Sequence, residues 1–320
     1  MRAVRCVEGA VRLVDVPAPR GDGVRVRIRS AGICGSDLHL LSPESVLGPP
    51  VVTLGHELAG VTDDGTPVAI EPLAPCDKCE PCVRGDYNLC ALGPGMIFGV
   101  GCDGGMADEL RVPPRALVPL PSAVSLRDAS LVEPLAVALY ALRRSRLRAG
   151  ARVVVIGGGN IGLCAVAAAR ACGAEVALVA RHDAQRAAGE RLGATRASGL
   201  YDVVIEAAGT ESALAKAVEL AKPGTKVWIP GIYWGPLALP GFAMCMKEVS
   251  LRPTFLYGRH AGGRDVDAAA ALLAANPELP RALITHRFPL DAAREAFATA
   301  ADRGSGAIKV VLEPGGPLTL

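Results

Sequence analysis

The order of apolar and polar positions divides the chain into two textures. Over the first 120 residues, apolar positions come in short runs, many with period two, broken by glycine and proline. VRVRIRSAGI alternates strictly, VVTLGHELAGVTDDG and TPVAIEPL are short apolar runs, and the opening MRAVRCVEGAVRLVDV reads as alternating strand. From about residue 130 the period lengthens. LVEPLAVALYALRRSRLRAG predicts a helix with basic residues in its last turn and a glycine stop. ARVVVIGGGNIGLCAVAAARACGAEVALVA predicts strand, turn, helix, strand, and YDVVIEAAG, ESALAKAVELAKPG and KVWIPGI continue strand, helix, strand. Strands alternating with helices indicate a parallel sheet covered on both faces. After roughly residue 258 come a last helix, DVDAAAALLAANP, and two short segments, ALITHRFPL and AIKVVLEP. The expected fold class is α/β: a β-rich part and a doubly wound parallel sheet.

Length and charge narrow the function. The 320 residues suffice for two domains with full cores. A net charge of +2 makes no electrostatic case for nucleic acid or a membrane surface. No stretch approaches the ~20 apolar residues of a membrane span, and no secretory h-region opens the chain. A reducing cytoplasm is the expected compartment, where thiols stay reduced.

That compartment bears on CDKCEPCVRGDYNLC. Cys76, Cys79, Cys82 and Cys90 form C-x2-C-x2-C-x7-C, a loop tight enough to wrap a tetrahedral zinc. With all four positions filled by sulfur, no coordination site remains for substrate, so this zinc is structural.

GGGNIG sets Gly157, Gly159 and Gly162 in the frame G-x-G-x-x-G. In a chain with 37 glycines the frame alone is weak, with about half an occurrence expected by chance. Its context is specific: it follows the strand RVVVI and opens an apolar helix, as dinucleotide binding requires. In GICGSDLH and GHE, Cys34 and His56 form a sulfur-plus-imidazole pair suited to zinc, and Glu57 or Glu133 can complete an open site of three protein ligands. Ser36 lies close enough to Cys34 to touch a ligand oxygen, and His39 could pass a proton on to solvent.

Together these residues resemble the zinc-dependent medium-chain dehydrogenase/reductase superfamily, in its alcohol, polyol and threonine dehydrogenase branch. GICGSDLH resembles the catalytic-zinc cysteine loop, GHELAG the zinc-histidine segment and CDKCEPCVRGDYNLC the structural-zinc lobe. DGGMADEL resembles the strand that follows, and VEPLAVALYAL the helix carrying a glutamate beside the metal. The resemblance implies a discontinuous GroES-like catalytic domain, residues 1–134 and 258–320, with a Rossmann domain at 135–257 inserted. It implies zinc at Cys34 and His56 with Glu57 or Glu133, Asp37 orienting a zinc histidine, and a proton relay through Ser36 and His39. The dinucleotide would meet Gly157, Gly159, Asn160, Ile161, Gly162, Arg181, His182, Ala207 and Gly231. The implied reaction is the interconversion of a secondary alcohol, cyclic or polyol, and its ketone by hydride transfer. A homo-oligomer, dimer or tetramer, is usual in the family. A zinc-independent reductase of the same fold, or a dinucleotide-sensing scaffold keeping only the structural zinc, would predict a ruined ligand set or relay, yet Cys34, Ser36, His39 and His56 are all present.

Two departures stand out. Only TRASGLY separates the helix DAQRAAGERLGA from the strand DVVIEAAG. In the strand order 3-2-1-4-5-6, that connection must cross roughly 14 Å of sheet and return along it, which takes a dozen or more residues. The third strand is therefore expected to be missing or vestigial, and its helix lost. At the end of the second strand, nineteen residues past Gly162, stands Arg181, followed by His182. NAD-binding units carry an acidic residue there for the ribose 2′-OH, whereas a guanidinium suits a 2′-phosphate. NADP is thus the expected cofactor, NAD the less favoured one, the latter requiring Asp183 to reach the ribose.

Overall fold

The computed structural model describes residues 1–42, 45, 48, 50–302 and 304–315. Parts of the expected catalytic-domain range, at 43–44, 46–47, 49, 303 and 316–320, lie outside the described residues. The chain divides into two units: Met1–Glu133, Gly258–Ala275 and Ile284–Leu320 in the first, Pro134–Tyr257 and Asn276–Leu283 in the second.

The first unit is β-rich. β1 (Arg2–Val7) and β2 (Ala10–Asp15) pair antiparallel around Glu8 and Gly9, both at positive φ, so the opening stretch is a hairpin rather than one strand. In β3 (Val24–Ile33) the alternation places Val26 and Ile28 in the core while Arg25 and Arg27 reach out to Asp63. Its last four residues are all buried, and α1 (Gly35–Leu40) follows at once. β4 (Glu57–Thr62), β5 (Pro67–Ile70), α2 (Glu80–Arg84), β6 (Glu109–Val112) and β7 (Leu117–Pro119) complete the N-terminal part. α3 (Val132–Ser145) contains the division at Glu133. It stops before Arg146, which takes a left-handed φ of 55°, so the expected glycine stop at Gly150 is not what ends it.

The second unit alternates strand and helix: β8 (Arg152–Ile156), α4 (Asn160–Ala171), β9 (Glu175–Val179), α5 (Asp183–Arg191), β10 (Thr195–Arg196), β11 (Val203–Glu206), α6 (Glu211–Leu220), β12 (Lys226–Ile229), α7 (Gly241–Lys247) and β13 (Ser250–Pro253). The strands are parallel in the order β10-β9-β8-β11-β12-β13, around a core including Val154, Val204, Leu214 and Val227. The place of strand 3 in the order 3-2-1-4-5-6, at the edge of the sheet, is held by β10, two residues long, and no helix joins it to β11. The strand is vestigial and its helix lost, as the short connection requires. Side chains take over from the missing helix. Arg152 donates to the carbonyl oxygens of Ser198 (2.7 Å) and Leu200 (2.6 Å), and its guanidinium lies 4.7 Å over the Tyr201 ring.

The chain then returns through β14 (Arg259–His260), β15 (Gly263–Arg264), α8 (Asp265–Ala275), α9 (Glu278–Leu283), β16 (Ile284–Pro289), α10 (Ala293–Ala301) and β17 (Lys309–Glu313). The expected domain range differs at α9, which belongs to the second unit: it packs against α4 and α5 and buries Leu279, Ala282 and Leu283. In the first unit the sheet runs β16-β17-β3-β4-β5-β7, with β6 also on β3. The antiparallel pairing of β17 with β3 lays Val310 opposite Ile33, so the start of β17 stands beside Cys34. No helix among the described residues is long and apolar enough to cross a membrane.

Candidate active site

The turn from β3 into α1 sets Cys34 as the N-cap of α1, with Asp37 at the third helical position. The buried Asp37 carboxylate accepts from the Cys34 N–H at 2.8 Å, closing the turn. Its other oxygen lies 3.4 Å from Nδ1 of His56, at the mouth of β4. Among the described residues neither that oxygen nor that nitrogen has a hydrogen-bond partner, and both are buried. On the opposite edge of the ring, Ser36 Oγ lies 3.3 Å from Nε2. His39 is exposed, three residues further along the same face of α1.

Burial pushes the His56 imidazole down, yet Asp37, Cys34 and Glu133 outweigh it and hold the ring well above its ordinary value. Burial likewise pushes the Asp37 carboxyl up, partly countered by His56. With Asp37 beside Nδ1, the donors Cys34 Sγ, His56 Nε2 and the buried Glu133 carboxylate are of the types that could hold a zinc ion. Glu57 is placed differently. Both its oxygens are taken by Lys309, whose Nζ lies 2.8 and 2.6 Å away and also donates to the Ile33 carbonyl at 2.7 Å. The two side chains are 0% and 2% exposed. Burial pushes the Lys309 ammonium down, but Glu57 and Cys34 more than restore it. Lys309 escaped the reading of the sequence; the available signal was a single lysine inside the apolar strand IKVVL.

The four clustered cysteines converge as their spacing requires. Their sulfur atoms all lie within 4.8 Å of one another, and among the described residues no other group of three or more candidate ligands is so tightly gathered. Cys76–Cys82 and Cys79–Cys82 are 3.9 and 3.4 Å apart. A disulfide would need about 2.05 Å, whereas the edge of a tetrahedron with 2.3 Å zinc–sulfur bonds is about 3.8 Å. Backbone N–H groups of Lys78 and Cys79 bring the Cys76 thiol down to about 6, while desolvation and neighbouring thiols push Cys82 up to about 12. The arrangement fits one zinc. Tyr87, between the third and fourth cysteine, donates to buried Glu71, which also accepts from Arg264 at 2.9 Å, so the lobe is tied to β5 and β15.

In the second unit, Gly157 takes φ +106° after β8, and Asn160 and Ile161 open α4. A Cβ at Gly162 would strike the Gly157 carbonyl, so only glycine lets helix and strand meet there. At Gly159 a Cβ would meet nothing within 4 Å, which leaves open space at the N-terminus of α4, where a pyrophosphate would lie. Arg181 is exposed just beyond β9, and His182 is the N-cap of α5. Asp183 pairs with Arg186, whose guanidinium also donates to the carbonyls of Ala180 (3.0 Å) and Arg181 (2.8 Å). Ala207 and Gly231 follow the ends of β11 and β12 and are drawn together by Glu206, another residue the sequence reading missed.

Comparison with known proteins agrees with this assembly. Residues 20–122 match the alcohol dehydrogenase GroES-like domain. The chain is 33% identical to L-arabinitol 4-dehydrogenase of Aspergillus oryzae, over 90% of this chain and 85% of the relative. It is 30% identical to D-xylulose reductase A of the same species, over 90% and 89%. Among solved structures, a zinc-binding dehydrogenase family chain from Sinorhizobium meliloti bound to NADP superposes with a TM-score of 0.84 at 30% identity, over 98% of this chain and 99% of that one.

Proposed function

The chain belongs to the zinc-dependent medium-chain dehydrogenase/reductase family, and from that premise we propose that this oxidoreductase works on a secondary alcohol of a polyol and the matching ketone, with NADP favoured and a catalytic zinc held by Cys34, His56 and Glu133. The observation that carries the reading is the buried His56, with Asp37 on one edge of its imidazole, Ser36 on the other, and the half-buried Cys34 and buried Glu133 near enough to act on it electrostatically. A zinc ion held there supplies Lewis-acid polarisation of the substrate oxygen, and the nicotinamide supplies the hydride chemistry.

The remaining work falls to the chain. Asp37 holds the His56 ring so that Nε2 is left for the metal. The Ser36 hydroxyl, next to that nitrogen, takes the substrate proton, and the exposed His39 delivers it to solvent. Lys309 neutralises Glu57 and engages both its oxygens, which favours Glu133 over Glu57 as the third ligand. Preference for NADP rests on Arg181 at the end of β9 and on the commitment of Asp183 to Arg186. The polyol class rests on the two Aspergillus relatives, whose names describe a pentitol dehydrogenase and a ketose reductase. The exposed Ile232, Leu239, Phe242 and Met246 of the second unit support a homo-oligomer.

The test is kcat/KM over a panel of polyols, simple secondary alcohols and ketones, each with NAD and NADP. The expected result is turnover of a polyol with at least tenfold preference for NADP, and a shift toward NAD in Arg181→Asp. A tenfold preference for NAD in the wild type would overturn the cofactor assignment.

A further inference from the structure

Glu206 closes β11 as a carboxylate with 0% exposure and, among the described residues, no cation beside it. One oxygen accepts from the N–H groups of Ala208 (2.8 Å) and Gly209 (2.9 Å), and the other accepts from the Tyr233 hydroxyl (2.7 Å). Its backbone carbonyl accepts from the Gly231 N–H at 3.1 Å. A single residue thus clasps the segment after β11 to the segment after β12. Both segments leave the C-terminal edge of the parallel sheet, the edge at which such sheets bind nucleotides. The first segment packs on the glycine turn itself: a Cβ at Gly157 would lie 2.9 Å from Ala208 N and 3.0 Å from Ala208 Cβ. The clasp leaves no slack, since a Cβ at Gly231 would come within 2.9 Å of the Glu206 carboxylate.

We infer that Glu206 and Tyr233 are positioning residues for the dinucleotide: through their hydrogen bonds they fix the 207–209 and 231–233 segments as the wall that the bound cofactor meets. A buried carboxylate without a cation is a costly way to join two segments, and burial pushes its affinity for protons up despite three donors. An apolar contact would join them as firmly but would not set the spacing to the Gly157 turn. Acceptance of two consecutive N–H groups does, because it fixes the direction of the peptide planes of Ala208 and Gly209. Tyr233 is anchored in turn by its ring, which packs against the core of the second unit.

The inference rests on reading the Gly157–Gly162 turn as the dinucleotide site, and the experiment separates the two. The dissociation constants of NADPH and NADH are measured at 25 °C by fluorescence titration of the zinc-loaded wild type and of Tyr233→Phe, Glu206→Gln and Glu206→Ala, with a thermal midpoint for each. Tyr233→Phe should weaken NADPH binding about tenfold, the scale of one lost hydrogen bond to a charged group, and should lower the midpoint by a few degrees because the buried carboxylate loses a donor. Glu206→Gln keeps an oxygen for the two N–H groups, and a turned Tyr233 hydroxyl accepts from its amide, so binding should stay within about threefold of wild type. Glu206→Ala should do worse than either. A structural role alone would lower the midpoints and leave the dissociation constants of the folded proteins within twofold of wild type, and that result overturns the inference. So does a Glu206→Gln variant that binds no better than Tyr233→Phe, the variant that keeps measurement possible if Glu206→Ala fails to fold. A wild type that binds neither nucleotide overturns the site reading and this inference with it.

Discussion

Replacing Lys309 by methionine removes the cation that holds both Glu57 oxygens while keeping most of the buried volume. Lys309 Nζ makes three hydrogen bonds of 2.6–2.8 Å, two to Glu57 and one to the Ile33 carbonyl, and both side chains are out of contact with solvent. Breaking a buried ion pair from one side costs about 3–5 kcal/mol, because the stranded charge has no water to turn to. The unpartnered Ile33 carbonyl adds about 1 kcal/mol or more. A loss of about 4 kcal/mol lowers the thermal midpoint of a unit of this size by roughly 8–16 °C. The assay is urea unfolding of the zinc-loaded protein at pH 7, alongside Lys309→Met/Glu57→Gln. The double variant should recover most of the loss, since the neutral amide needs no counter-charge. A single variant within 1 kcal/mol of wild type, or a double variant no better than the single, would refute the reasoning.

Cys82→Ala should lose about one zinc per chain and several kcal/mol of stability, because structural zinc contributes folding energy; metal analysis beside thermal unfolding checks both. Asp108 is held below the ordinary aspartate value: burial opposes this, but the side chain and backbone of Arg2 outweigh it. The stability it contributes is therefore fully present above about pH 4 and lost as pH falls through the lowered value. Asp108→Asn should destabilise at pH 7 by an amount that shrinks toward pH 3, and a loss that stays constant across this range would contradict the ion-pair account.

Local spacing carried much of this protein into view. The four cysteines declare a closed site because they sit within fifteen residues, and the glycine turn because strand and helix flank it directly. The vestigial β10 followed from counting residues against strand spacing. The unread parts are those assembled across the sheet. Lys309 lies 252 residues from Glu57 and meets it only because β17 pairs with β3. Glu206 and Tyr233 are read separately as a strand end and a loop aromatic until β11 and β12 set them side by side. Helix α9 falls between the predicted helix DVDAAAALLAANP and the segment ALITHRFPL, and only its packing on α4 and α5 assigns it to the second unit. The stop of α3 at Arg146 depends on a left-handed backbone at a residue type that gives no warning of it.

Removal and return of the metal test the central claim most directly. The wild-type enzyme is assayed for polyol oxidation with NADP after exhaustive chelation, with metal content measured on the same sample, and again after one and two equivalents of zinc. The account requires turnover to vanish with the metal, to return with zinc, and to remain absent in Cys34→Ala although that variant stays folded and keeps its four-cysteine zinc. Chelation that removes all metal while turnover persists would contradict it.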